Sequence, residues 1–352
     1  MNAAYNYPAR VQTRCPWDLS FDASFIYWQP LEDNLEFAIV DNTTLSGPDL
    51  VEDSIDANVV DMDFNYKPGF KIGFGGYFDY DNWDVHAEYT WFHTKNHNSA
   101  SVADTSTAAT TTQKILPLWG VPGENTSATP DMLDAEMFFN SADAKWKMNM
   151  DIVDLDLGRW CYVGTKLTVR PNFGARAAFI RQHYHVTYEA QSFDSDAADS
   201  REVNVFANTH NWGVGVKTGL DTNWMIGQGF RMFGCSEADI LFTRYTKLSS
   251  AETAVALASA TEGATGFPAI HVHQSKHNTV RTHFDIQLGF GWGTYWDCNN
   301  WYTDVMLGYE FQVFFDQNMF RHFDDDVMQL NSTMPNGNLY TQGLTAQFSL
   351  TF

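Results

Sequence analysis

The chain has 352 residues, 15% of them aromatic, with four cysteines and a formal net charge of -22. That acidity excludes a nucleic-acid partner, because phosphate binding needs a basic face. No stretch approaches the ~18 consecutive apolar residues of a membrane-spanning helix, and the lack of any CxxC excludes a zinc ribbon or a thioredoxin-type motif.

The opening stretch MNAAYNYPAR has no apolar leader segment, so the chain is expected to be a mature form whose signal peptide has been removed. From about residue 18 onward, period-two alternation dominates and helical periodicity is hard to find. FKIGFGGYF (70–78) puts Phe70, Ile72, Phe74 and Phe78 on one face. WDVHAEYTW (83–91) sets Trp83, Val85, Ala87, Tyr89 and Trp91 against Asp84, His86, Glu88 and Thr90. KLTVRPNFGARAAF (166–179) sets Leu167, Val169, Phe173 and Phe179 against Lys166, Thr168, Arg170, Asn172 and Arg176. NWGVGVKTGL (211–220) and HFDIQLGFGW (283–292) continue the pattern, with Lys217, Asp285 and Gln287 between apolar residues.

About ten strands are expected, near 18–29, 60–79, 83–94, 144–157, 163–188, 202–220, 224–247, 278–296, 300–315 and 338–352. NLEFAIV (34–40) is where a hairpin strand would be added, which would raise the count to twelve. Several of these strands exceed the usual length in globular sheets and reach the ~9–11 residues that span a bilayer. Their connections alternate. Short turns are expected at 80–82, 158–162, 221–223 and 297–300, and long polar loops near 30–58, 95–143, 189–201, 249–277 and 316–337. This is the pattern of an outer-membrane barrel, with short periplasmic turns and long extracellular loops.

The aromatics give a second signal. Trp17, Trp83, Trp160, Trp224 and Trp301 open strands at the short-turn end, with Trp28 and Trp91 one membrane thickness further on. Two aromatic girdles are what lipid interfaces select. A β-sandwich core would also use tryptophan, but not at strand starts beside short turns. The polar partners of the apolar stripe point the same way. Lys71, His86, Glu88, Asp154, Asp156, Lys166, Arg170, Arg176, Lys217, Asp285, Gln287, Asp304, Glu310 and Gln312 would be costly in a dry core, and suit a wet lumen.

The expected fold is thus all-β: one antiparallel up-and-down transmembrane β-barrel over 17–352, preceded by an N-terminal periplasmic segment, 1–16, in the bacterial outer membrane.

Several stretches resemble the MOMP-like porin family, the major outer membrane proteins of Legionella and of chlamydia-related bacteria. They are FIYWQPLEDNLEFA (25–38), KPGFKIGFG (67–75), WDVHAEYTWFHT (83–94), DIVDLDLGR (151–159), LTVRPNFGARAAFI (167–180), TGLDTNW (218–224) and GWGTYWDCNNWYTDVMLGYEFQVFFDQN (291–318). They cover most strands and few of the long loops. The resemblance implies a transmembrane barrel and a passive diffusion channel for small hydrophilic solutes, with no catalytic motif and no cofactor. A narrow or plugged barrel would instead suit a structural envelope protein or a surface adhesin.

Folding the chain about position 160 places Asp154 opposite Lys166 and Met150 opposite Arg170, with a bulge near 152–153 keeping Asp154 and Asp156 inside. Folding about 297–300 places Gln287 opposite Glu310 and Asp285 opposite Gln312. HYH (183–185) and HVH (271–273) have a chelating spacing, but exposed histidine at a loop end is the simpler reading, so no metal is expected. His93, His183 and Asp84 share no catalytic spacing, and no enzyme is expected.

Cys15, Cys161 and Cys298 map to the periplasmic edge, where they are candidates for disulfide cross-links to a cysteine-rich envelope partner. A homo-oligomer is also open, and lipid is the obligate partner. Acidic loop residues such as Asp324, Asp325 and Asp326 favour cations at the outer mouth. The last strand, GLTAQFSLTF, is expected to pair with the first, with Phe352 in the lower girdle and Gln347, Ser349 and Thr351 facing the lumen.

Overall fold

The computed structural model describes residues 9, 11–14, 19–41, 44–46, 51–54, 56–78, 82–102, 113–119, 139–190, 201–253, 269–323 and 332–352. Ten long antiparallel strands form a meander: β1 (Leu19–Glu32), β2 (Lys67–Tyr77), β3 (Trp83–Ser101), β4 (Ser141–Arg159), β5 (Leu167–Ala190), β6 (Arg201–Gly227), β7 (Phe230–Glu252), β8 (His277–Trp296), β9 (Trp301–Asn318) and β10 (Gly337–Thr351). Each pairs with the next, and β10 pairs with β1 from Ser20↔Thr351 to Glu32↔Leu339, which closes the barrel. Closure leaves no free sheet edge. Two short strands, Cys161–Tyr162 and Ile270–Gln274, extend this sheet without joining the ring.

Alternation decides which way each side chain points. Val216, Phe290, Leu288 and Phe74 lie on the outer face, and Val216 is 70% exposed. Such a continuous apolar exterior would drive a water-soluble protein to aggregate, whereas it matches the hydrocarbon of a bilayer. The strands β5, β6 and β7 run 24, 27 and 23 residues, well beyond the length needed to span. The excess stands at the long-loop end.

Two expected turns lie elsewhere. The β6–β7 turn is Gln228–Gly229, not 221–223, because both residues hold positive φ (53° and 82°) and form a two-residue hairpin. Asp221 and Trp224 therefore belong to β6. The β4–β5 hairpin turns at 163–166, not at 160: Cys161 pairs with Val169 in the same register that sets Asn172 against Gly158. Asp154 thus meets Arg176 rather than Lys166, and Met150 meets Ile180 rather than Arg170. Gln287↔Glu310 and Asp285↔Gln312 pair as expected.

No bulge interrupts β4 at 152–153. Instead, the inward face changes character along the strand. Trp146, Met148, Met150 and Ile152 are inward and buried, followed in phase by Asp154 and Asp156. The outer half of the barrel interior accordingly holds a packed apolar cluster. Ile26, Trp28, Phe92, Ile180, Tyr184 and Tyr188 on the strands pack there with Leu35, Phe37, Ile115 and Trp119 from inward-folded loop segments.

Three of those segments make a small sheet of their own, Ala57–Val60, Ala38–Asp41 and Lys114–Pro117. The stretch 34–40 is therefore part of this plug, and the barrel has ten strands rather than twelve. Strand tyrosines hold the plug: the Tyr184 hydroxyl donates to the Leu35 carbonyl at 3.1 Å and that of Tyr188 to Phe37 at 2.5 Å.

Candidate lumenal site

Below the plug, the barrel encloses a polar cavity of about 690 Å³. Ile152 and Thr90 mark its upper limit, and Trp160, Tyr162, Gln228, Tyr295 and Tyr302 line it at the short-turn end, together with Ala9 and Val11 of the N-terminal segment. That segment is tied across the barrel end by backbone bonds from Ala9 to the Trp160 carbonyl and from Arg14 to the Asn299 carbonyl.

The wall is an ordered ion-pair network. Arg176 occupies its centre. Its Nε donates to Asp154 Oδ1 at 2.6 Å, its Nη2 to Glu237 Oε2 at 2.9 Å and its Nη1 to Asp239 Oδ2 at 2.8 Å. Lys217 lies beside it, 2.9 Å from Asp156 Oδ1 and 3.0 Å from Glu237 Oε2. Nearer the short turns, Arg170 bridges Asp84 and Asp221, and Arg231 pairs with Asp304. On the opposite wall, Lys71 reaches Glu310 Oε1 at 2.7 Å and Glu88 at 3.7 Å, and His86 Nε2 meets Asp22 Oδ2 at 2.8 Å.

These groups are buried, yet each cation meets more than one carboxylate or a bidentate partner. Such pairing is what lets charge persist away from bulk water. Glycine makes room for it: a Cβ on Gly158 would lie 2.5 Å from Arg170 Nε, and one on Gly73 would lie 2.6 Å from His86 Nε2. Gly158 and Gly73 thus hold space for neighbouring side chains.

Of the inward polar residues expected from alternation, Lys71, His86, Glu88, Asp154, Asp156, Arg170, Arg176, Lys217, Asp285, Gln287, Asp304, Glu310 and Gln312 all line this cavity. Lys166 does not. It lies in the 163–166 turn and is exposed, because the hairpin turns later than the sequence suggests. Alternation put Asp84 on the polar face without counting it in the wall, and passed over Asp22, Asp221, Arg231 and Glu237; all five line it. Strand parity was the available signal, since each alternates with an outward apolar neighbour or sits in phase with a recognised inward residue. Among the described residues, ten carboxylates line the cavity against five lysines and arginines.

The aromatic girdle is only partly as expected. Trp301 and Phe352 lie together with ring centroids 5.4 Å apart, Trp83 packs edge-on to Phe173, and Trp224 is outward and exposed. Trp160 turns inward, in phase with Asp154 and Asp156, and joins the cavity wall. Trp28 is likewise inside, 1% exposed, donating to Thr345 Oγ1, with Lys71 over its ring. Trp91 is on the outer face, stacked on Phe70. Trp17 lies outside the described residues. Gln347, Ser349 and Thr351 line the cavity.

The remaining candidates are scattered. His183 and His185 bond Asn208 and Asn204 separately, and among the described residues no three His, Cys, Asp or Glu side chains are grouped to hold a metal. His93 contacts Asp151 on the outer face, remote from Asp84. Cys298 is exposed and Cys161 half-buried, both as free thiols, and Cys235 lines the cavity. Cys15 lies outside the described residues, as do Asp324, Asp325 and Asp326.

Among solved structures, the chain is similar to the outer membrane protease OmpT from Escherichia coli, at 11% identity and a TM-score of 0.37, over 98% of this chain and 99% of that one. It is also similar to Ail, the attachment invasion locus protein of Yersinia pestis (10% identity, TM-score 0.21, 66% and 99% covered). A third likeness is to the toluene transporter TodX of Pseudomonas putida (8% identity, TM-score 0.24, 96% and 90% covered). At scores this low none of them carries an argument about this chain's function. No curated protein matches it. The family model described as Legionella pneumophila major outer membrane protein precursor matches residues 11–352, almost the whole length. The chain belongs to this major outer membrane protein family, and its barrel resides in the outer membrane.

Proposed function

We propose that the protein is a narrow, cation-preferring channel for passive diffusion of small hydrophilic solutes. The observation that carries this reading is the polar cavity inside the barrel, where, among the described residues, ten carboxylates face five fixed cations. A barrel serving only as a wall could fill the same space with apolar side chains at less electrostatic cost. An excess of fixed negative charge attracts cations and repels anions at close quarters. The route outward passes the plug, so conduction requires the loop segments around Phe37 and Trp119 to move.

Purified barrel in planar bilayers should show small discrete conductance steps, and under a potassium chloride gradient the reversal potential should carry the sign of cation preference. Absence of steps, or anion preference, defeats the reading. No turnover of peptide or phospholipid is expected of the purified barrel.

The plug favours a second reading, an abundant structural or adhesive envelope protein that does not conduct. Under it, exposed Cys298 is the natural point for a disulfide to a cysteine-rich envelope partner. Non-reducing electrophoresis of native envelopes would then show a reductant-sensitive ladder that Cys298→Ser removes. A ladder indifferent to reductant counts against cross-linking.

A further inference from the structure

One carboxylate on the cavity wall stands apart from the ion-pair network. Asp285 is 8% exposed and has no ion pair among the described residues. Its Oδ1 is buried without a hydrogen-bond partner among the described residues. Directly across the β8–β9 ladder is Gln312, 3% exposed, whose Oε1 is likewise buried and unpartnered among the described residues. Both residues line the cavity.

The amide orientation is fixed by chemistry: Gln312 Nε2 donates to Glu310 Oε1 at 2.6 Å, and the reversed amide would set two oxygens against each other. Glu310 is itself engaged at both oxygens, since Lys71 also takes Oε1 and the Thr345 hydroxyl donates to Oε2 at 2.8 Å. Locally, one lysine therefore faces three carboxylates, Glu88, Glu310 and Asp285, while Arg176 is committed to Asp154, Glu237 and Asp239. Two unpartnered buried oxygens and three carboxylates crowded around a single lysine are costly alone.

We propose that Asp285 and Gln312 form a binding site for a hard divalent cation of the calcium or magnesium type, inside the barrel. A carboxylate and an amide oxygen are the ligand types these ions take, and cavity water completes a coordination of about six to eight for calcium. Histidine and thiolate are not part of the pair, so softer metals have less reason to bind. Two protein ligands imply weak binding, on the order of the millimolar range of extracellular calcium sites. The site deepens the channel reading, because it would sit on the cation path, yet it does not need conduction in order to bind.

The test is urea unfolding of the whole barrel in detergent micelles, with calcium chloride titrated against choline chloride at matched ionic strength. The wild-type midpoint should rise with calcium in a saturable way and not with choline. Asp285→Asn should abolish the rise and, in EDTA, should unfold at a higher urea concentration than wild type, because it removes one carboxylate from this crowded set. A merely misfolded variant would move the opposite way. Gln312→Leu should shift the calcium response at least tenfold to higher concentration. The proposal is overturned if wild type shows no rise beyond choline, or if Asp285→Asn keeps the full rise, which would place calcium on the acidic loops. Calcium stabilisation without bilayer conductance would sink the channel reading and keep the site; conductance with an unaltered Asp285→Asn response would do the reverse.

Discussion

Arg176 is the side chain on which most of the lumenal network depends. Replacing it with methionine would leave Asp154, Glu237 and Asp239 short of a counter-charge, with Lys217 alone to serve Asp154 and Glu237. Stranding buried charge of this kind costs about 3–5 kcal/mol. Arg176→Met should therefore lower the urea midpoint of the barrel sharply, and a change within error would show that water already solvates those carboxylates. Gly158 tests the same network from the opposite direction. A methyl there would push on Arg170 and loosen its bond to Asp84, an overpacking effect of about 1–3 kcal/mol. Inward charge was legible in the sequence residue by residue, because parity within a strand is a local property. Which charge meets which was not, because Arg176 draws partners from β4 and β7 at once.

At the scale of the element, each strand has a lipid side and a lumen side, and neighbouring positions tolerate opposite chemistry. Val216 is 70% exposed on the outer face of β6, while adjacent Lys217 is 4% exposed on the inner face. Val216→Arg would place charge in the hydrocarbon and should destabilise the barrel by about 2–4 kcal/mol near the midplane. Equilibrium unfolding in lipid vesicles would check this, and a neutral result would mean that the position lies at the interface. Apart from the bulge expected in β4, the errors at this scale concern where strands stop. Positive φ at Gln228 and Gly229 sets the β6–β7 turn, whereas the polar run Asp221–Thr222–Asn223 only looks like one. Those side chains line the lumen instead. A polar residue facing water inside a barrel and a polar residue in a turn carry the same local signature.

For the whole molecule, the question is whether the plug closes the path. Trp119 is 1% exposed, packs edge-on to Tyr184 and donates from its indole to the Glu36 carbonyl at 2.6 Å. Trp119→Ala should loosen this seal and raise single-channel conductance severalfold while the barrel remains folded. Unchanged conductance would show that solutes bypass this layer.

The sequence by itself determined the class of fold, the strand parity, the closing partnership of the first and last strands, and most of the polar wall. Each of these follows from a period of two and from the contrast between lipid and water. Only the tertiary structure decided that Trp28 and Trp160 turn inward, that 34–40 joins a loop sheet and not the barrel, and that strand and loop side chains pack an apolar cluster in the outer half of the interior. Those outcomes depend on which distant segments share the barrel interior. A buried apolar side chain facing a plug and one facing lipid both escape water, so composition and alternation alone do not separate them.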